Sequence, residues 1–260
     1  MARVFDFDRA IVREPGESVV RGLRTGPDAP RHGLILAEHR AYVAALESAG
    51  VAAETLPPLP DFPDSVFVED PAFVLTQGAV LLRPGASSRF GEPSTLAPAL
   101  RRHFARVLEI DDGFVDGGDI LVLPDEIVVG LSARTDRKGA ERFRELVRDL
   151  GRCVRIVCPP PGLLHLKTGC ALIDEGTILA VSPLAALFPG YEVLPTPAGE
   201  AAAANLIRVN DSVLMAAGFP KTAELLAERG YQLVQLEASE IARIDAGLSC
   251  MSLRWLSGGA

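Results

Sequence analysis

Paired apolar strands recur along this chain, and that recurrence constrains its fold more than any single residue does. Phe73-Val74-Leu75 and Ala79-Val80-Leu81-Leu82 flank Gly78 as a hairpin, a helix follows over about 96–104, and Val107-Leu108-Glu109-Ile110 reads as one more strand. The next repeat is the clearest. Asp119-Ile120-Leu121-Val122-Leu123 and Glu126-Ile127-Val128-Val129 are joined by Pro124-Asp125. The helix predicted over 137–150 carries Phe143, Leu146, Val147 and Leu150 at i, i+3, i+4, i+7, and Gly151 stops it before Val154-Arg155-Ile156-Val157. Cys170-Ala171-Leu172-Ile173 pairs with Thr177-Ile178-Leu179-Ala180-Val181. Leu206-Ile207-Arg208-Val209 pairs with Ser212-Val213-Leu214-Met215, ahead of a helix near 221–229 and a strand from Tyr231. A first unit runs from Arg9-Ala10-Ile11-Val12-Arg13 through a helix that ends near Ser48, with Gly50 as its stop. Units of roughly 35 to 55 residues predict radial or solenoidal repetition. No linker or composition break divides them, so residues 1–260 read as one domain. A plain doubly wound sheet fits less well, because each unit contains an antiparallel hairpin.

Composition narrows the function. The 260 residues are 48% hydrophobic and 23% charged, enough to bury a substantial core. A formal net charge of −8 disfavours nucleic acid and suits a cationic ligand. Met1-Ala2-Arg3-Val4-Phe5 is not the start of a secretory leader, and no apolar run approaches the roughly 18 residues of a membrane span. A cytoplasmic protein without membrane contact is expected. With no leader, Cys153, Cys158, Cys170 and Cys250 do not suggest a disulfide framework. Cys153 and Cys158 flank a strand and, five residues apart, fall on opposite faces, which is poor for sharing a metal. No metal is expected.

Polar groups crowd the strands in four places. Asp61, Asp64, Glu69 and Asp70 lie in and around a strand-like stretch, where buried carboxylates need a cation: a local arginine, or a ligand. Arg83-Pro84-Gly85-Ala86-Ser87-Ser88-Arg89 places Arg89 after a tight turn, either as a solvated loop residue or as a two-pronged clamp on a carboxylate. Asp116-Gly117-Gly118-Asp119 is a turn, or a place where backbone approaches a ligand. Arg134, after Gly130-Leu131-Ser132-Ala133, is a helix-start surface residue or a second clamp. His165, in Leu163-Leu164-His165-Leu166-Lys167-Thr168-Gly169, is a satisfied core histidine or an acid–base group. Cys250, in Gly247-Leu248-Ser249-Cys250-Met251-Ser252, is an inert core thiol or a nucleophile. Phosphate-loop, dinucleotide and serine-nucleophile motifs are absent from the sequence.

Taken in order, Phe62-Pro63-Asp64-Ser65-Val66-Phe67-Val68-Glu69-Asp70-Pro71, Arg83 to Arg89, Asp116-Gly117-Gly118-Asp119, Ser132-Ala133-Arg134-Thr135, Leu164-His165-Leu166-Lys167-Thr168-Gly169, Ala203-Ala204-Asn205 and the Cys250 segment resemble the dimethylarginine dimethylaminohydrolase family of guanidine-modifying enzymes, the penteins. The resemblance implies an α/β propeller of five-fold pseudosymmetry, built from ββαβ-like units. It implies hydrolysis of Nω-methylated arginines to citrulline, with Cys250 as nucleophile, His165 as general acid and base, and Asp116 as the acidic partner. Asp64, Glu69 and Asp70 would line the guanidinium and α-amino sites, and Arg89 and Arg134 would hold the α-carboxylate. Leu23 matches a lid position, and Ile244 a position whose backbone touches substrate. Many bacterial relatives carry Glu where this chain has Asp116, which shortens the reach of that carboxylate by about one methylene. No cofactor is implied. The partner would be a small guanidino or ureido amino acid, and a homodimer is compatible with the reading.

Two rivals remain. An arginine deiminase, or a hydrolase of citrulline-like ureido compounds, would share the chemistry and differ only at the leaving amine. A non-catalytic propeller that binds a partner or senses arginine derivatives would not need the Cys250, His165 and Asp116 combination.

Overall fold

The computed structural model describes residues 2–258. Strand β1 (Arg9–Arg13), helix α1 (His32–Ser48) and strand β2 (Ala52–Leu56) begin the ring. The second blade is β3 (Ala72–Leu75), β4 (Gly78–Leu81), α2 (Glu92–His103) and β5 (Val107–Glu109). The third is β6 (Ile120–Val122), β7 (Ile127–Gly130), α3 (Arg137–Arg148) and β8 (Val154–Val157). The fourth is β9 (Cys170–Asp174), β10 (Thr177–Ala180) and β11 (Glu192–Pro195), with a 3-10 helix, Ser182–Leu187, where the others have an α-helix. The fifth is β12 (Ile207–Val209), β13 (Ser212–Ala216), α4 (Pro220–Glu228) and β14 (Gln232–Leu236). After the short α5 (Ser239–Ala242), strand β15 (Ser252–Trp255) returns to pair with β1.

Every sheet has three strands and one pattern: the middle strand runs antiparallel to one neighbour and parallel to the other. In the first blade β1 is the middle strand, and β15 takes the place that β3, β6, β9 and β12 hold elsewhere. Two distant stretches therefore complete one blade and close the ring. Strands β4, β7 and β10 are buried at every residue, so they read as unbroken apolar runs and not as alternations. On α3, Ala140, Phe143 and Val147 are buried, and Phe143 meets Phe73 edge-on at 5.1 Å. Asp136 caps that helix by accepting from Gly139 N at 2.7 Å.

The repetition also places chemistry. The segments just before β3, β6, β9, β12 and β15 are equivalent by position in the blade. They carry Asp70, Asp116, His165, Asn205 and Cys250 respectively. The loops after β1, β4 and β7 carry Leu23, Arg89 and Arg134. Cys153 and Cys158 are exposed at the two ends of β8. No helix among the described residues is long and apolar enough to cross a membrane.

Candidate active site

Cys250 sits in a 3-10 turn, Leu248–Met251, immediately before β15. Three bonds hold the turn. Cys250 N donates to Gly247 O at 3.2 Å, Glu69 N donates to Cys250 O at 3.2 Å, and Ser249 N donates to Asn205 Oδ1 at 3.2 Å. The thiol lines a cavity of about 150 Å³ with Asp64, Asp70, Arg89, Asp116, Arg134, His165 and Ile244, roofed by Leu23, Arg24 and Thr25. Burial, then Glu69 and Asp70, push the thiol up to about 11. It is therefore neutral at pH 7. Cys170 is a different thiol. It is buried against Leu166 O at 3.3 Å and pushed up to about 12 by burial.

His165 begins a second 3-10 turn, Leu166–Thr168, where its N–H donates to Thr168 Oγ1 at 3.2 Å. Its Nε2 lies 3.0 Å from Asp116 Oδ2. Burial opposes the charged ring, but Asp70, Asp116 and Asp119 together outweigh it and raise His165 to about 9. The imidazolium form is thus the resident form at neutral pH. Asp116 is fixed from its other oxygen, which accepts from Gly85 N at 2.7 Å. Asp70 accepts from Gly118 N at 2.9 Å and pairs with Arg89 Nη1 at 2.6 Å. Its burial is outweighed by His165, Arg89 and that N–H, which hold its carboxyl below the ordinary range.

Two glycines make this approach feasible. A Cβ at Gly118 would meet the His165 ring and Asp70 Oδ1, and one at Gly117 would run into the Glu69 carbonyl. Asp116-Gly117-Gly118 therefore brings backbone against side chains that a larger residue would displace.

The two arginines differ. Arg89 is buried. Its Nε and Nη2 are taken by Glu92, with Nη2 at 2.7 Å from Oε2, and Nη2 also donates to Phe67 O at 2.8 Å. With Nη1 on Asp70, one N–H of Nη1 is left for a ligand. Arg134 is half-buried, and among the described residues its guanidinium makes no hydrogen bond or ion pair with protein. Asp64 Oδ1 accepts from Leu23 N at 2.9 Å, which ties the roof to the cavity wall, and burial raises its carboxyl. Glu69 does not join the group. Its side chain points to the far side of the ring and pairs with Lys167, while its backbone N–H holds Cys250 O.

Sequence reasoning gave no role to Asp119 or Glu92. Asp119 Oδ2 accepts from Ser132 Oγ and Thr135 Oγ1, both at 2.6 Å, and Oδ1 accepts from Leu166 N at 2.8 Å. It fastens the Arg134 loop to the His165 turn. Its place in the Asp-Gly-Gly-Asp string was the available signal. Glu92 stands three residues after Arg89, the spacing at which helical neighbours meet. The donor atoms of Asp70, Asp116 and His165 lie within 4.8 Å of one another. Their oxygens already serve Gly118, Arg89, Gly85 and His165, so Arg89 stands where a bound cation would balance the acids.

A cavity lined by acids, an unpaired guanidinium and a thiol suits a cationic amino acid. The comparisons agree. The family whose model is described as arginine deiminase matches residues 38–186. A Pseudomonas aeruginosa N(G),N(G)-dimethylarginine dimethylaminohydrolase is 37% identical over 96% of this chain and 100% of its own. The chain belongs to the dimethylarginine dimethylaminohydrolase family. A Streptomyces coelicolor dimethylarginine dimethylaminohydrolase is 36% identical over 95% of this chain and 96% of its own. The solved structure of the P. aeruginosa dimethylarginine dimethylaminohydrolase, a Cys-to-Ser mutant complexed with citrulline, superposes with a TM-score of 0.93 at 37% identity, covering 96% of this chain and 100% of that one. The N-terminal domain of a cyanobacterial arginine dihydrolase, 18% identical, has a TM-score of 0.84 over 96% of this chain and shares the fold. The five-sheet ring is thus the propeller of this superfamily.

Proposed function

We propose that this chain hydrolyses Nω-methylated arginines to citrulline and methylamine or dimethylamine. The observation that carries the reading is the pairing of His165 with Asp116 at 3.0 Å on the wall of the cavity that Cys250 and Arg134 also line. Arg134, with the spare N–H of Arg89, takes the α-carboxylate. Asp64 and the Ile244 backbone take the α-amino end, and Leu23 closes over it. Asp70 and Asp116 hold the guanidinium charged and planar.

Chemistry starts with substrate binding. A thiol at about 11 is a poor nucleophile, and a guanidinium seated beside it favours its thiolate. The thiol proton leaves to solvent, and sulfur attacks the guanidinium carbon. The His165 imidazolium gives its proton to the departing methylated nitrogen, the C–N bond breaks, and an S-alkylthiouronium remains on Cys250. Neutral His165 then takes a proton from water as its oxygen attacks the same carbon. The C–S bond breaks, and citrulline leaves. The acids hold the positive charge in place throughout, which is electrostatic preorganisation.

The match to the arginine deiminase family favours a second substrate, arginine itself, with ammonia as the leaving group. A panel of asymmetric dimethylarginine, monomethylarginine, arginine and citrulline, followed by citrulline, amine and ammonia release, separates the two. The methylated substrates are expected to have the highest kcat/KM. A preference for arginine would replace the proposed substrate and leave the mechanism standing.

A further inference from the structure

A second cavity, of about 450 Å³, opens on the other side of the ring. It shares no lining residue with the substrate cavity of about 150 Å³. The two lie back to back. Glu69, Gly117 and Ser249 face the larger one, and their chain neighbours Asp70, Asp116 and Cys250 face the smaller.

The walls of the larger cavity join apolar surface, from Phe73, Leu121, Leu172 and Trp255, to a cationic set opposite in sign to the chain's net charge of −8. Five cations line it and two acids, Asp6 and Glu69. Asp6 is matched by Arg3 at 2.7 Å, and Glu69 Oε1 by Lys167 and, at 3.7 Å, by Arg254, while Glu69 Oε2 is buried without a partner. Arg152 and Arg208 are left over. Arg254 Nη1 is occupied by Ser252 O at 2.9 Å, and its Nε is buried without a partner. Arg152 donates from Nη2 to Leu123 O, and its Nε is likewise buried and unpartnered. Arg208 gives Nε to Asn210 O at 2.7 Å and lies over the rings of Phe5 and Tyr231, at 5.3 and 5.6 Å. Among the described residues it has no ion pair. Burial, then the neighbouring Arg3, disfavours its charge. An anion beside Arg208 would relieve that cost, and orphaned buried donors are rare unless something is meant to meet them.

We infer that the larger cavity is a second binding site, for an amphipathic anion: a carboxylate or sulfonate on an aromatic body, its charge on Arg208 and Arg152 and its ring on the apolar wall. This site is independent of the reading given to the substrate cavity. The volume is that of ordinary small-molecule sites.

Trp255, the chain's only tryptophan, lines this cavity and reports on it directly. The full chain is titrated with 8-anilinonaphthalene-1-sulfonate, with excitation of Trp255. Saturable one-to-one energy transfer is expected. Arg208→Gln is expected to weaken it about tenfold or more, the scale of a lost charge-assisted hydrogen bond. Arg208→Lys is expected to bind within a few-fold of the parent, and Arg134→Gln, in the other cavity, to bind unchanged. The same ring with a positive charge, 2-naphthylmethylammonium, is expected not to compete. Circular dichroism checks that each variant is folded. No saturable transfer, equal affinity in folded Arg208→Gln, loss of binding in Arg134→Gln, or effective competition by the cation would each overturn the assignment.

Discussion

His165 Nε2 and Asp116 Oδ2 stand 3.0 Å apart, and the other oxygen of Asp116 is fixed by Gly85 N at 2.7 Å. The imidazole is held by a carboxylate that cannot turn away, and the pair ties the second, third and fourth blades together.

The pair has a signature in pH. A ring raised to about 9 is protonated, and able to serve as an acid, at neutral pH. kcat/KM is expected to fall as pH rises through about 9. Asp116→Asn removes one support of the imidazolium, so the falling limb moves to lower pH and kcat drops by about a hundredfold to ten-thousandfold. A pH–rate profile of both proteins measures this.

The same shift bears on stability. The folded-state value of about 9 lies above the ordinary 6.5, so protonated His165 favours the fold. Its contribution is complete below about 6.5 and is lost as pH rises through about 9. Asp116→Asn is therefore expected to lower Tm more at pH 6 than at pH 10, as thermal melts at the two values would show.

Arg89 and Arg134 are expected to separate. Arg89→Met leaves Glu92 and Asp70 buried without their cation, and a loss of about 3–5 kcal/mol is expected by denaturant unfolding. Arg134→Ala removes a guanidinium with no protein partner. Its unfolding midpoint should be unchanged while KM rises roughly tenfold to a hundredfold, the scale of a lost charged hydrogen bond.

Gly118→Ala pushes a methyl toward His165 and Asp70. Overpacking of this kind costs about 1–3 kcal/mol. Here it also moves the acid, so kcat should fall further than the change in stability would suggest.

The roof has its own latch. Asp245, at φ 55°, accepts from Thr25 N at 2.6 Å and Thr25 Oγ1 at 3.0 Å. Asp245→Ala loses those bonds in a backbone conformation that alanine tolerates poorly. Faster amide exchange at Thr25 and a higher KM are expected, and Asp245→Asn should recover most of both.

Much of this was legible in the sequence because it is local. Gly78 and Pro124-Asp125 mark hairpins, and the Phe143 periodicity marks a helix. The first blade was not legible as a closed unit, since β15 lies far along the chain from the β1 it completes. Side-chain direction was also hidden. Glu69 and Asp70 are neighbours in sequence, yet one faces each cavity. Whether Arg89 is a solvated loop residue or a clamp was not legible, because its engagement by Glu92, Asp70 and two backbone carbonyls, which leaves one N–H of Nη1, depends on tertiary folding. Asp119 is a tether between loops from different blades, and a turn motif alone does not disclose that.

The central claim is a covalent intermediate on Cys250, and acid quenching during turnover followed by peptide mass mapping tests it most directly. Asymmetric dimethylarginine and monomethylarginine lose different amines and leave the same thiouronium, so one identical mass increase, on the peptide holding Cys250, is expected from both. Cys250→Ser should show neither that adduct nor citrulline. Adducts that differ between the two substrates, an adduct on another residue, or citrulline formed at the parent rate by Cys250→Ser would contradict the account.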